Sequence, residues 1–86
     1  MENRKEKVLV CGLGSKMHKY LPAILISKNV VGFLSLESNL KLDNLYGITV
    51  YNLKNLNNVK FDRIIIASSF YEQIESALKD FKYDIV

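Results

Sequence analysis

One stretch, Lys7 to Lys16 (KVLVCGLGSK), restricts the possible folds more than any other part of the chain. A short apolar run, Val8-Leu9-Val10-Cys11, breaks at Gly12-Leu13-Gly14-Ser15, and an amphipathic helical pattern starts directly behind it. Strand, glycine turn, helix is the opening of a βαβ unit, in which glycines let backbone approach a ligand and the free N–H groups of the new helix attract a phosphate. The run is apolar throughout instead of alternating, as expected of a strand covered on both faces in a parallel sheet.

The rest of the chain continues this pattern. Met17, Leu21, Ile24, Leu25 and Lys28 recur at helical spacing, the Lys stem extending the apolar stripe, so a helix is predicted over 16–28. Pro22 interrupts it by removing one N–H donor, and a kink or a tight first turn is expected there. Val30 to Leu36 reads as a second strand, 37–46 as a polar loop with turn signals at Ser38-Asn39 and Asp43-Asn44, and Ile48 to Tyr51 as a β-branched strand released by Gly47. The Asn-rich segment 52–60 has room for one helical turn around Leu53 to Leu56. Asp62 to Ala67 is the clearest strand, and Ser69 with Glu72 forms a capping box pattern ahead of a helix over 70–80. The face of that helix is marked by Phe70, Ile74, Ala77, Leu78 and Phe81, and Tyr83 to Val86 reads as a final strand.

These elements define an α/β class: a small, open, mostly parallel sheet of Rossmann-like type, about five strands in the order 3-2-1-4-5, with helices on both faces. Ligands of such sheets bind beyond the carboxyl ends of the strands, where the strand order reverses. Here those ends carry Gly12, Gly14, Ser15 and Lys16 after the first strand, Ser35 and Glu37 after the second, and Ser68 and Ser69 after the fourth. Each has a plainer reading. The glycines also suit any strand-to-helix turn, a lysine in a first helical turn is commonly solvated, carboxylates after strands are frequent, and Ser69 is accounted for as a cap.

Composition removes several function classes. The chain has 86 residues, 49% of them apolar and 24% charged, which is ordinary for a folded domain. It divides into a charged arm over 1–6 and a single domain over 7–86, either complete or part of a larger protein. Twelve Lys and Arg against nine Asp and Glu leave +3, with Arg4, Lys5, Lys7 and Lys16 all ahead of or at the start of the first helix. No basic stripe or recognised module supports nucleic-acid binding. No apolar run approaches the roughly 18 residues that span a bilayer, nor does a signal-peptide core follow the N-terminus, so a cytoplasmic location is expected. The lone Cys11 forms no internal disulfide and reads as a small buried hydrophobe, without a base partner for nucleophilic work. His18 has no companions at metal-ligand spacing.

With these residues placed, the chain resembles the Rossmann-like N-terminal domains of bacterial nucleotide-sugar and polysaccharide-biosynthesis proteins, in particular sugar acyltransferases and nucleotide-sugar dehydratases or epimerases. The likeness rests on KVLVCGLGS, VVGFLSLES, YGITVYNL and DRIIIASSFYEQIESAL, and it covers nearly the whole chain. It implies a glycine turn facing the phosphates of a nucleotide or nucleotide sugar, with NAD(P) as a further cofactor possibility, and an acidic residue after the second strand reaching the ribose. The chain departs from that pattern where a third glycine is expected at Met17 and where the acidic residue stands at Glu37 instead of near Ser35. None of its five tyrosines has a lysine four places on, as the Tyr-x-x-x-Lys pair of the dehydratases requires.

The expected function is therefore a nucleotide or nucleotide-sugar binding module that is not catalytic alone. The alternatives are an assembly domain with a vestigial glycine turn, or the NAD(P)-binding domain of an epimerase or dehydratase. Roughly one good helix per sheet face and an open final strand lead to the expectation of a homodimer, or of packing against a missing C-terminal partner.

Overall fold

The computed structural model describes residues 5–37 and 42–86. The elements are β1 (Lys7–Cys11), α1 (Ser15–Ser27), β2 (Asn29–Ser35), β3 (Asn44–Leu45), β4 (Ile48–Asn52), a 3₁₀ helix (Leu53–Asn58), β5 (Arg63–Ile66), α2 (Tyr71–Ala77) and β6 (Tyr83–Ile85). They build a mixed α/β fold around one six-stranded sheet in the order β3-β4-β2-β1-β5-β6. Every pair is parallel except β3 with β4.

This order differs from the expected five-strand one by a strand outside β4. Part of the stretch read as a loop folds back as a hairpin, with Asn44 opposite Thr49 and Leu45 opposite Ile48. Its two-residue turn is Tyr46-Gly47, with φ of 55° and 76°. Positive φ at both central positions matches the right-handed twist of the paired strands, which is why so short a turn closes here. Glycine takes that conformation freely, whereas Tyr46 takes it at a cost, so the dipeptide is a weak hairpin signal in the sequence. The Ser38-Asn39 turn signal and residues 1–4 of the arm lie outside the described residues.

β1, β2 and β5 are continuously apolar because both faces of the sheet are covered. On one face Val8, Val10, Phe33, Ile65 and Ala67 pack against Met17, Leu21 and Ile24 of α1. On the other, Leu9, Cys11, Leu34, Ile64 and Ile66 pack against Leu56 of the 3₁₀ helix and Ile74 and Leu78 at α2. Alternate residues of each strand thus serve opposite layers, and each buried aliphatic contributes on the order of 1.5–3 kcal/mol. α1 runs through Pro22, which sits on its exposed side.

The helix faces are narrower than the periodicity suggests. Leu25 is 44% exposed, and Lys28 turns to an ion pair instead of extending the stripe. On α2 only Ile74 and Leu78 are anchored, Phe81 is half-buried, and Ala77 and Phe70 are exposed. The helix begins at Tyr71, so Phe70 stands ahead of the first turn and off the buried face.

The amino ends of the strands are tied by charge. Glu6 accepts from Lys28 Nζ at 2.9 Å and from Arg63 Nε at 3.2 Å, and Arg63 Nη1 reaches Asp84 at 3.0 Å. The backbone N–H of Asn29 bonds to the Glu6 carbonyl at 2.9 Å, so Glu6, placed by its sequence in the charged arm, holds the entries to β1 and β2 together. Among the described residues no helix is long and apolar enough to cross a membrane.

The hydrogen bonds from Lys28 and then Arg63 hold the Glu6 carboxyl below the usual carboxylate range. A depressed folded-state pKa stabilises the fold fully above the ordinary glutamate value of about 4.3, and that contribution is lost as pH falls through the lower folded value. Acid unfolding followed by circular dichroism should therefore show a shallower loss of stability below pH 5 in Glu6→Gln than in the parent. Equal slopes would mean that the ion pairs do not hold in solution.

Candidate functional site

At the carboxyl ends of β1, β2 and β5 the structure opens into a cleft of about 560 Å³. The chain leaves β1 toward β2 on one side and reaches β5 on the other. α1 and α2 therefore cover opposite faces and leave a crevice between them. Gly12, Gly14, Ser15, Lys16, Ser35, Glu37, Ser68 and Ser69, the residues singled out from the sequence, all line this one cleft. Its volume falls within the roughly 300–1,000 Å³ typical of small-molecule sites.

The fold accounts for only one of the two glycines. Gly12 has φ +118°, and a Cβ on it would sit 2.5 Å from the Ala67 carbonyl oxygen. The fold itself therefore demands glycine at this position. Gly14 has φ −92° and ψ −163°, extended backbone open to any residue, and a Cβ on it would meet nothing within 4 Å. Packing gives no reason for glycine there.

Gly14 also begins α1 without a side-chain cap. The N–H of His18 makes the first helical bond, to the Gly14 carbonyl at 3.2 Å, so the amides of Ser15, Lys16 and Met17 precede the helical ladder and carry the positive end of its dipole. His18 turns its Nδ1 to the same carbonyl at 2.9 Å and meets the Tyr46 ring edge-on at 5.7 Å between centroids. Lys16 extends toward α2, its Nζ 6.0 Å from the centre of the Tyr71 ring. Among the described residues no group of His, Cys, Asp and Glu is arranged to hold a metal ion.

The serines shape the two other loops. Ser35 is buried at the end of β2, and its Oγ accepts the Glu37 N–H at 3.2 Å, which bends the chain and leaves Glu37 exposed at the cleft. Ser68 Oγ accepts the Phe70 N–H at 3.1 Å. That turn displaces the expected capping box of Ser69 and Glu72. The cap position falls on Phe70 with no side-chain bond, and Glu72 stands in the first turn. Ser69 faces the cleft from the turn without capping the helix.

The run from Ala67 to Phe70, which the sequence places at a carboxyl strand end, lines the cleft, whereas Leu34, Leu36, Gln73 and Ile74 are lining residues that sequence reasoning missed. Phe70 was assigned to the buried face of the helix and is instead 69% exposed at the cleft. Cys11 lies on the floor, fully buried, with its thiol pushed up to about 12 by burial.

Fold and cleft together define a small mixed α/β domain with a crevice at the reversal of its strand order. The chain belongs to the C2185-like, N-terminal family, whose model matches residues 4–85. No curated protein matches it.

Two outcomes follow from this geometry. Gly12→Ala should lower the unfolding free energy by about 1–3 kcal/mol through strain and crowding, measured by urea denaturation, whereas Gly14→Ala should cost about 1 kcal/mol or less. Cys11 should resist iodoacetamide at pH 8 in the folded protein and react in urea, as mass spectrometry would register; rapid native labelling would contradict its burial.

Proposed function

We propose that this domain binds a nucleotide-containing anion, a nucleotide sugar or mononucleotide in preference to an intact nicotinamide dinucleotide, and does not transform it alone. This is the role suggested by its resemblance to the Rossmann-like N-terminal domains of polysaccharide-biosynthesis proteins. The observation that carries it is Gly14, a glycine at the cleft that neither backbone conformation nor packing requires. Its missing side chain leaves the first amides of α1 open to the cleft, where a phosphate pair gains N–H donors, the helix dipole and the charge of Lys16. Glu37, exposed in the lining of the same cleft, would accept from a ribose hydroxyl.

The preference against a dinucleotide rests on Met17. It is wholly buried between α1 and the sheet, where a third glycine would let helix and strand approach more closely. The reading as binding instead of chemistry rests on the described lining residues, among which no acid–base or nucleophile pair stands ready to move a proton or hydride. β6 supplies a sheet edge flanked by the exposed Ile85 and Val86, and the expected homodimer would form along it.

An NMR titration with UDP-sugars, CMP, ATP, NAD and coenzyme A tests the reading through the amides at 12–16, 35–37 and 67–70. Nucleotide ligands should shift all three segments, and Gly14→Val should keep the fold while abolishing the response. If none of these ligands moves those amides at millimolar concentration, the binding reading fails and assembly takes its place, with sedimentation across a wide concentration range as its own check.

A further inference from the structure

The part of the cleft lined by the start of α2 has a composition that phosphate binding does not explain. Phe70 lines it while 69% exposed, and Gln73 lines it three residues further on. Single exposed apolar side chains are common on protein surfaces. Phe70 differs because it lines a cleft, its backbone is fixed there by the Ser68 turn, and Gln73 lines the same cleft. The rest of this wall, Ala67, Ser68 and Ser69, is small and leaves the ring accessible.

We infer that Phe70 and Gln73 form a base-recognition wall, so that a ligand's planar heteroaromatic ring stacks on Phe70 and its polar edge meets the Gln73 amide, while its phosphates lie at Gly12 to Lys16. The inference rests on the proposed nucleotide reading and fixes the orientation of the ligand within it. An aromatic face accepts any base, because every base has a π-face. The Gln73 side chain carries both a donor and an acceptor, so it complements the mixed edge of a nucleobase and has no such match on a phosphate. Neither Phe70 nor Gln73 carries a charge of its own, and both line the cleft beside its serines.

The test titrates the full chain with UMP, AMP and ribose 5-phosphate, comparing the parent with Phe70→Ala and Phe70→Trp. Phe70 is exposed, so both variants should keep the parent's urea midpoint. Phe70→Ala should weaken UMP and AMP about tenfold while leaving ribose 5-phosphate unchanged, and Phe70→Trp should restore the nucleotide affinity. Cross-relaxation between the Phe70 ring protons and the base protons of bound UMP gives an independent readout in the parent. Nucleotides that shift the 12–16 amides equally in parent and Phe70→Ala would overturn the base wall and leave the phosphate reading standing. A loss of ribose 5-phosphate equal to that of UMP would likewise overturn it, since the ring would then serve the sugar. No response of the parent to any of the three would overturn both readings.

Discussion

The carboxyl edge of the sheet depends on how closely the chain leaving β1 can pass the chain leaving β5. The Ala67 N–H bonds to the Cys11 carbonyl at 2.9 Å, and the Gly12 N–H bonds to the Leu34 carbonyl at 3.3 Å. The last turn of β1 is thereby fastened to both neighbours at once. A side chain at Gly12 would lie in the space of the Ala67 carbonyl, so the strands could not stay paired to their ends. With Gly12 in place, three loops leave the sheet at one level, and the cleft is the space above them.

The two edges of the sheet divide their duties. The amino edge carries the ion pairs of Glu6, Lys28, Arg63 and Asp84, all partly exposed and hence weak individually and screened by salt. Their effect is mainly positional, since Glu6 and Arg63 join the entries to β1, β2 and β5. The carboxyl edge contains small residues and backbone amides instead. Stability is supplied by the buried layers, which leaves Gly14, Ser69 and Phe70 without a packing role in the core.

The central strands were legible because burial on both faces writes itself into the sequence as an unbroken apolar run. The eight candidate residues converge on one cleft for a related reason: parallel strands place all their carboxyl ends on one side. What escaped detection depends on contacts distant in sequence or on competition between neighbours. β3 exists through pairing with β4 and a positive φ at Tyr46. Ser69 matches a capping box, yet Ser68 takes the Phe70 amide first and moves the helix start. Gly12 and Gly14 look equivalent in the sequence, and only the approach of Ala67 distinguishes them.

The walls of the cleft are unequal in ways that bear on how a ligand would be held. One stands on the thirteen residues of α1, anchored by Met17, Leu21 and Ile24. The other stands on the seven residues of α2, with Ile74 buried in the helix and Leu78 directly after it. Fewer buried apolar contacts mean a lower cost of local opening, so the α2 wall is the easier of the two to displace. On the proposed reading, phosphates meet the firmer wall, whose amides are already oriented, while the base meets the softer one and must order it. Part of the stacking energy is then spent on holding α2 in place. On that reading, affinity for a whole nucleotide would depend on how well α2 is packed as well as on the ring of Phe70, and changes that shorten or lengthen the buried face of α2 would alter base binding without touching the phosphate turn.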